Sequence, residues 1–142
     1  MKPGTAAGSA TMASGANYGV AYAFSICILQ EMQWIHSQAI HSGEYFHGPF
    51  EITDDIVPFI ILMGTGACRK LDERALAFAR KFTDRILLLD VETMDTAGID
   101  AAVLEYVQPL IFQPLLRAFA IRLADERGHP LTVRRYMWKM EY

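Results

Sequence analysis

Cysteine is scarce. Cys27 and Cys68 are the only two among 142 residues, and they sit in no CxxC or other ligand spacing. A disulfide scaffold is therefore excluded as the basis of the fold, and a reducing cytoplasm is the expected compartment. Charge is sparse too. Charged residues make up 20% of the chain, against a usual share of about a quarter. The 13 Lys and Arg against 16 Asp and Glu leave a net charge of −3. A nucleic-acid binder needs a basic stripe to displace counterions from phosphate, and that excess is absent. Long hydrophobic runs are missing as well. The longest apolar stretch, Val20 to Leu29, contains Ser25 and is too short to span a bilayer. No charged segment close ahead of it makes it a signal peptide, so no membrane partner is expected. What is abundant is apolar residues, at 52%. A chain this apolar buries a sizeable core, which excludes general disorder, and the surplus predicts a covering partner.

Residues 1–13 are small and polar with no period of 2 or 3.6, and read as a flexible leader or an expression remnant. Ser14-Gly15-Ala16-Asn17 is a turn whose oxygens suit helix capping. From Tyr18 to Ala39, Val20, Phe24, Cys27, Ile28, Met32 and Ile35 recur at helical steps, with apolar residues on other faces too. Such a helix is buried on most sides, within the domain or against another chain. His41 to Glu51 is a loop punctuated by Gly and Pro. Val57–Met63 and Arg85–Val91 are continuous apolar runs, as parallel strands covered on both faces require. Leu71 to Phe82 between them is an amphipathic helix, completing a βαβ unit. Ala101–Tyr106 forms one or two helical turns, and Pro109 opens a long helix to Glu126, stopped by Gly128 and Pro130. The fold class is α/β. A layered domain of this pattern needs a strand ahead of its first helix, and the leader supplies none; a cut chain or a neighbouring chain would account for it.

Four groups carry potential chemistry. Glu31 lies inside the apolar helix beside Leu29, Met32 and Trp34. Burial there penalises its charged form and poises it for general acid/base work; the alternative is a surface Glu turned to water. In Gly43-Glu44-Tyr45-Phe46-His47-Gly48-Pro49 two glycines and a proline fix the backbone around an acid and an imidazole. A structural hydrogen-bonding role for His47 stays open. His36, His41 and His47 with Glu44 could be drawn as a metal site, but no pair has the i, i+4 spacing of a zinc helix, and no metal is expected. Gly64 to Lys70 follows a strand and precedes a helix, where backbone N–H groups can hold an anion. It lacks P-loop spacing, and a plain turn is the competing reading. Lys139 in the basic, aromatic tail is a possible imine-forming amine or a surface charge.

Taken together, Ser14–Gly19, Leu29–His36 and Ser42–Pro49 resemble the sugar isomerase (SIS) superfamily, specifically its second, C-terminal domain. The likeness is strongest to fructosamine (fructoselysine) 6-phosphate deglycases. More distantly, the chain is similar to the isomerase half of glucosamine-fructose-6-phosphate aminotransferase. The ending Arg134-Arg135-Tyr136 to Met140-Glu141-Tyr142 also looks like a deglycase C-terminus. The resemblance implies a single SIS domain over 14–142 with a tail at 131–142: a three-layer sandwich of a small parallel sheet flanked by helices, here lacking its first strand. It implies that Glu31 moves a proton between C1 and C2 of an open-chain 6-phosphosugar or fructosamine 6-phosphate. His47 would assist ring opening or proton transfer and reach a neighbouring subunit's site. Ser14, Gly15, Asn17 and Glu44 become expected substrate contacts. Lys139 matches the imine-forming lysine of the aminotransferase, which deglycases need not keep. No cofactor is implied. A homodimer or larger assembly through the 18–39 helix is expected, and a separate first SIS domain would supply the Ser/Thr-rich phosphate turn not found here. Without that turn, the expectation is a weak or inactive enzyme half-site. The competing reading is a non-catalytic SIS module serving in oligomerisation or regulation.

Overall fold

The computed structural model of the protein describes residues 8–142. Four parallel strands, β1 (Ser9–Ala13), β2 (Ser37–His41), β3 (Phe59–Met63) and β4 (Ile86–Asp90), form one sheet in the order β2-β1-β3-β4. Strand order reverses at β1. Right-handed crossovers leaving in opposite directions must then lie on opposite faces. One face is covered by α1 (Tyr18–Ala23), its π-wound continuation Phe24–Met32, and α3 (Ala101–Arg127); the other is covered by α2 (Arg69–Ala79). Alternate residues of β3 serve the two layers. Ile60 and Leu62 pack with Phe24, Phe112 and Leu116, while Phe59, Ile61 and Met63 pack with Met12, Tyr45, Ala75 and Leu76. The α/β, three-layer expectation is met.

The strand expected to be missing is present. Ser9–Ala13, read from sequence as leader, is β1, paired with β2 on one side and β3 on the other. Its small residues carry no hydrophobic signal, yet Ala10, Thr11, Met12 and Ala13 are fully buried because both faces of this inner strand are covered. Residues 1–7 of the expected leader lie outside the described residues. The helix expected to reach Ala39 stops at Met32, and Ser37–His41 is edge strand β2. Trp34 turns the chain with a left-handed φ of 53°. The reversal is held by the Gln33 carboxamide, which donates to the His129 carbonyl at 2.7 Å, and by Arg127, which donates to the Gln33 carbonyl at 3.2 Å.

Pro109 does not open a helix; it lies inside α3, which begins at Ala101 and is capped by Asp100, whose carboxylate accepts the Ala102 N–H at 2.8 Å. A proline at 109 leaves the Glu105 carbonyl without its helical donor. The Gln108 side chain supplies one, donating to that carbonyl at 2.9 Å, and its oxygen accepts the Thr65 N–H at 2.9 Å. One buried carboxamide thus carries α3 through the proline and ties it to the turn after β3. The helix ends in a left-handed Gly128 with its N–H on the Asp125 carbonyl, while His129 donates to Ala124.

Candidate functional site

Residues singled out from the sequence divide between the two ends of the sheet. At the carboxyl end, beside the switch between β1 and β3 where open α/β sheets hold ligands, lie Ser14, Gly15, Asn17 and the loop after β2. Ser14 is buried and donates to the Cys68 carbonyl at 3.1 Å. Asn17 is buried against Gly64, where a Cβ would stand 2.4 Å from its side-chain nitrogen. Gly15 is exposed, with φ 54°. Asp72 reaches this end from α2 at 1% exposure. Burial pushes its carboxyl above the ordinary range, while the neighbouring Ser42 and Ser14 hydroxyls, the Gly64 N–H and the His41 ring pull the other way. Oδ1 of Asp72, the Ser42 hydroxyl and both polar atoms of the Asn17 side chain are buried without a well-aligned protein partner. This polar cluster was not legible in the sequence, because Asp72 looks like an ordinary first-turn helix acid.

Glu44 and His47 are exposed on the short helical turn after β2. Tyr45 between them is fully buried, its hydroxyl on Thr53, and packs edge-on against Phe46 and Phe78. Gly48, at φ 147°, lets the chain turn into Pro49 directly after the imidazole. The histidines do not gather. His41 accepts the Gly43 N–H at 3.1 Å, His36 lies at the opposite end of the sheet, and no metal-holding group of His, Cys, Asp and Glu occurs among the described residues. The Gly64–Lys70 turn is a plain turn. The Thr65 N–H is taken by Gln108, the Glu105 carboxylate lies where a Gly66 side chain would be, and Arg69 is bound to Asp90 through 2.8 and 2.9 Å contacts. That pair holds the Asp90 carboxyl below the ordinary range.

Glu31 sits at the amino end of the sheet. Its neighbour Gln30 donates to the Ser37 carbonyl at 2.6 Å, and the following turn places the His36 carbonyl on the Ser9 N–H at 2.9 Å. Glu31, in the last turn of the π-wound Phe24–Met32, lines a cavity of about 630 Å³ whose walls also include Gln30, Trp34, His36, Arg134, Arg135 and Tyr136. The apolar surroundings expected for Glu31 are not found. Its side chain is 28% exposed, and its carboxylate meets Arg134 at 2.9 Å. Arg134, 10% exposed, also donates to the Leu131 and Val133 carbonyls at 2.7 and 2.9 Å. Arg135 lies 4.3 Å over the Trp34 ring. The sequence shows these two arginines within a basic, aromatic tail that resembles a deglycase C-terminus, and assigns neither a role. Lys139 is exposed on the turn that begins at Tyr136 and is not among the cavity walls. Glu31 and His47 are thus not brought together within one chain: a five-residue strand separates their ends of the sheet, about 15 Å.

No family model matches the chain. It is 61% identical over 132 residues to fructosamine deglycase FrlB of Bacillus subtilis, covering 93% of this chain and 40% of that protein. It is 31% identical over 126 residues to fructoselysine 6-phosphate deglycase of Escherichia coli, covering 89% of this chain and 36% of the relative. Among solved structures, a Bacillus subtilis protein described as a phosphosugar isomerase superposes with a TM-score of 0.93 at 59% identity, covering 96% of this chain and 42% of that one. The chain spans about two fifths of the length of these relatives. Its parallel four-stranded sheet is the fold of the solved phosphosugar isomerases, and over nearly its whole length the chain is similar to one part of the fructosamine and fructoselysine 6-phosphate deglycases, as a SIS domain would be.

Proposed function

We propose that this domain is the proton-transfer half of a fructosamine 6-phosphate deglycase site, with Glu31 as the acid/base. The observation that carries this reading is the placement of Glu31: an ion-paired, partly exposed carboxylate in the wall of an open cavity shared with the tail. In the open-chain substrate, C1 bears the amine and C2 is a ketone. Glu31 takes the C1 proton, and the electron pair forms a C1–C2 double bond as the C2 oxygen is protonated, giving an enaminol. The amine nitrogen then pushes its electron pair toward C1 as Glu31 returns the proton to C2, leaving a C1 imine. Water adds to that imine and the free amine leaves, giving an aldose 6-phosphate. A carboxylate that alternates between base and acid suits both transfers.

His47 lies at the far end of the sheet, so its help with ring opening or proton transfer is given to the Glu31 site of another copy of the chain. The active form is then a homodimer or larger assembly in which each site draws on two chains. The same separation favours a second reading for a lone copy, that of a non-catalytic phosphosugar-binding module. A mixing experiment separates them. Glu31→Gln and His47→Ala are each expected to be inactive on fructoselysine 6-phosphate. Mixed and allowed to exchange subunits, they should recover about a quarter of the wild-type rate, since half of the dimers contain one intact site. Wild-type binding without turnover supports the module. No binding of the sugar phosphate rejects both.

A further inference from the structure

The cavity at Glu31 holds more positive charge than the carboxylate uses. Arg134 is committed to the protein: one terminal nitrogen is on Glu31 and the other on two backbone carbonyls, while its Nε is buried without a partner. Arg135 is not. It has no carboxylate or carbonyl partner among the described residues, and its guanidinium rests on the face of Trp34 at 4.3 Å. A contact with a π face engages none of the five N–H donors of a guanidinium. The platform itself is built. Trp34 is held at a left-handed φ of 53°, with its ring edge-on to His129 at 4.5 Å, and the neighbouring Gln33 carboxamide is anchored on the His129 carbonyl. A bulky residue in that conformation costs free energy, and such strain persists where the surroundings impose it. The result is an exposed cationic fork resting on an anchored indole, its N–H donors without a protein partner among the described residues, in the same cavity wall as Glu31.

We propose that Arg135, carried on Trp34, is an anion subsite that binds a carboxylate or phosphate group of the molecule whose carbons react at Glu31. This rests on the function proposed above, because it assumes that the reacting carbons lie at Glu31. Fork geometry matches two oxygens of either anion. A fructosamine 6-phosphate derived from an amino acid carries one such group at each end, and the subsite decides which end is read at this wall.

The test is binding, followed by quenching of tryptophan fluorescence and by NMR, in wild type, Arg135→Ala and Arg135→Lys. The probes are fructoselysine 6-phosphate, its carboxamide, and fructose 6-phosphate. Loss of one charge-assisted contact predicts binding roughly ten- to a hundredfold weaker in Arg135→Ala. Arg135→Lys, which keeps the charge and loses the fork, should fall between. If the carboxylate is read, wild type prefers the acid to its carboxamide and Arg135→Ala does not. If the phosphate is read, Arg135→Ala weakens all three probes alike. Equal affinities in Arg135→Ala and wild type for every probe overturn the subsite and leave the Glu31 reading standing. Wild type that binds none of them overturns that reading first, and the subsite with it.

Discussion

Two buried or half-buried carboxylates give the folded chain opposite responses to pH. Arg69 holds Asp90 below the ordinary carboxylate range, so the stability it contributes is present at neutral pH and lost as pH falls through that lowered value. Asp72 is raised by burial, so its contribution is fully present in acid, below the unfolded-state value, and is lost as pH rises through the raised one. Asp72→Asn keeps the shape and removes the buried charge. It should raise the urea midpoint at pH 7 and do little near about pH 4, where an unfolded Asp is already half protonated. A variant less stable than wild type at pH 7 would show that the carboxylate at the β1–β3 switch is held by contacts worth more than its burial costs. At this scale spacing and resemblance single out Glu31 and His47, whose roles stay a proposal. Arg134 and Arg135 were not assigned, because a side chain's partner across the fold leaves no local pattern.

At the scale of elements, strong periodicity transferred well and weak local signals did not. The runs that became β3 and β4 and the amphipathic α2 were readable because each is apolar on the faces it buries. β1 was unreadable because a central strand covered on both sides works with alanine, serine and threonine. The end of the first helix was unreadable because it depends on Gln33 meeting His129, far along the chain. α3 was read as interrupted at Pro109, since the Gln108 carboxamide that replaces the missing hydrogen bond is a tertiary device. Gln108→Ala should therefore cost about 1–3 kcal/mol of stability by leaving the Glu105 carbonyl and Thr65 N–H unpaired. Amide exchange at Thr65 should quicken with it. Unchanged exchange at Thr65 would mean that the turn after β3 is held without α3.

For the molecule as a whole, the exposed apolar side chains have a direction. Val103, Tyr106 and Leu110, at 46, 73 and 69% exposure, follow one another at three- and four-residue steps along α3, and Tyr22 on α1 is also more than half exposed. If Glu31 and His47 serve one site, as proposed, their placement at opposite ends of the sheet requires that site to be completed by assembly. Sedimentation at micromolar concentration is expected to show a dimer or larger species, and a clean monomer would remove the shared-site arrangement. No helix among the described residues is long and apolar enough to cross a membrane, so these faces are not spanning segments.

The most direct measurement is deuterium exchange at the sugar carbons, followed by NMR with fructoselysine 6-phosphate in D₂O. Glu31 acting as the base predicts loss of the C1 proton signal in the presence of the wild-type chain, at a rate that Glu31→Gln lowers by a factor on the order of 100 or more. C1 exchange that continues unchanged in Glu31→Gln would contradict the account.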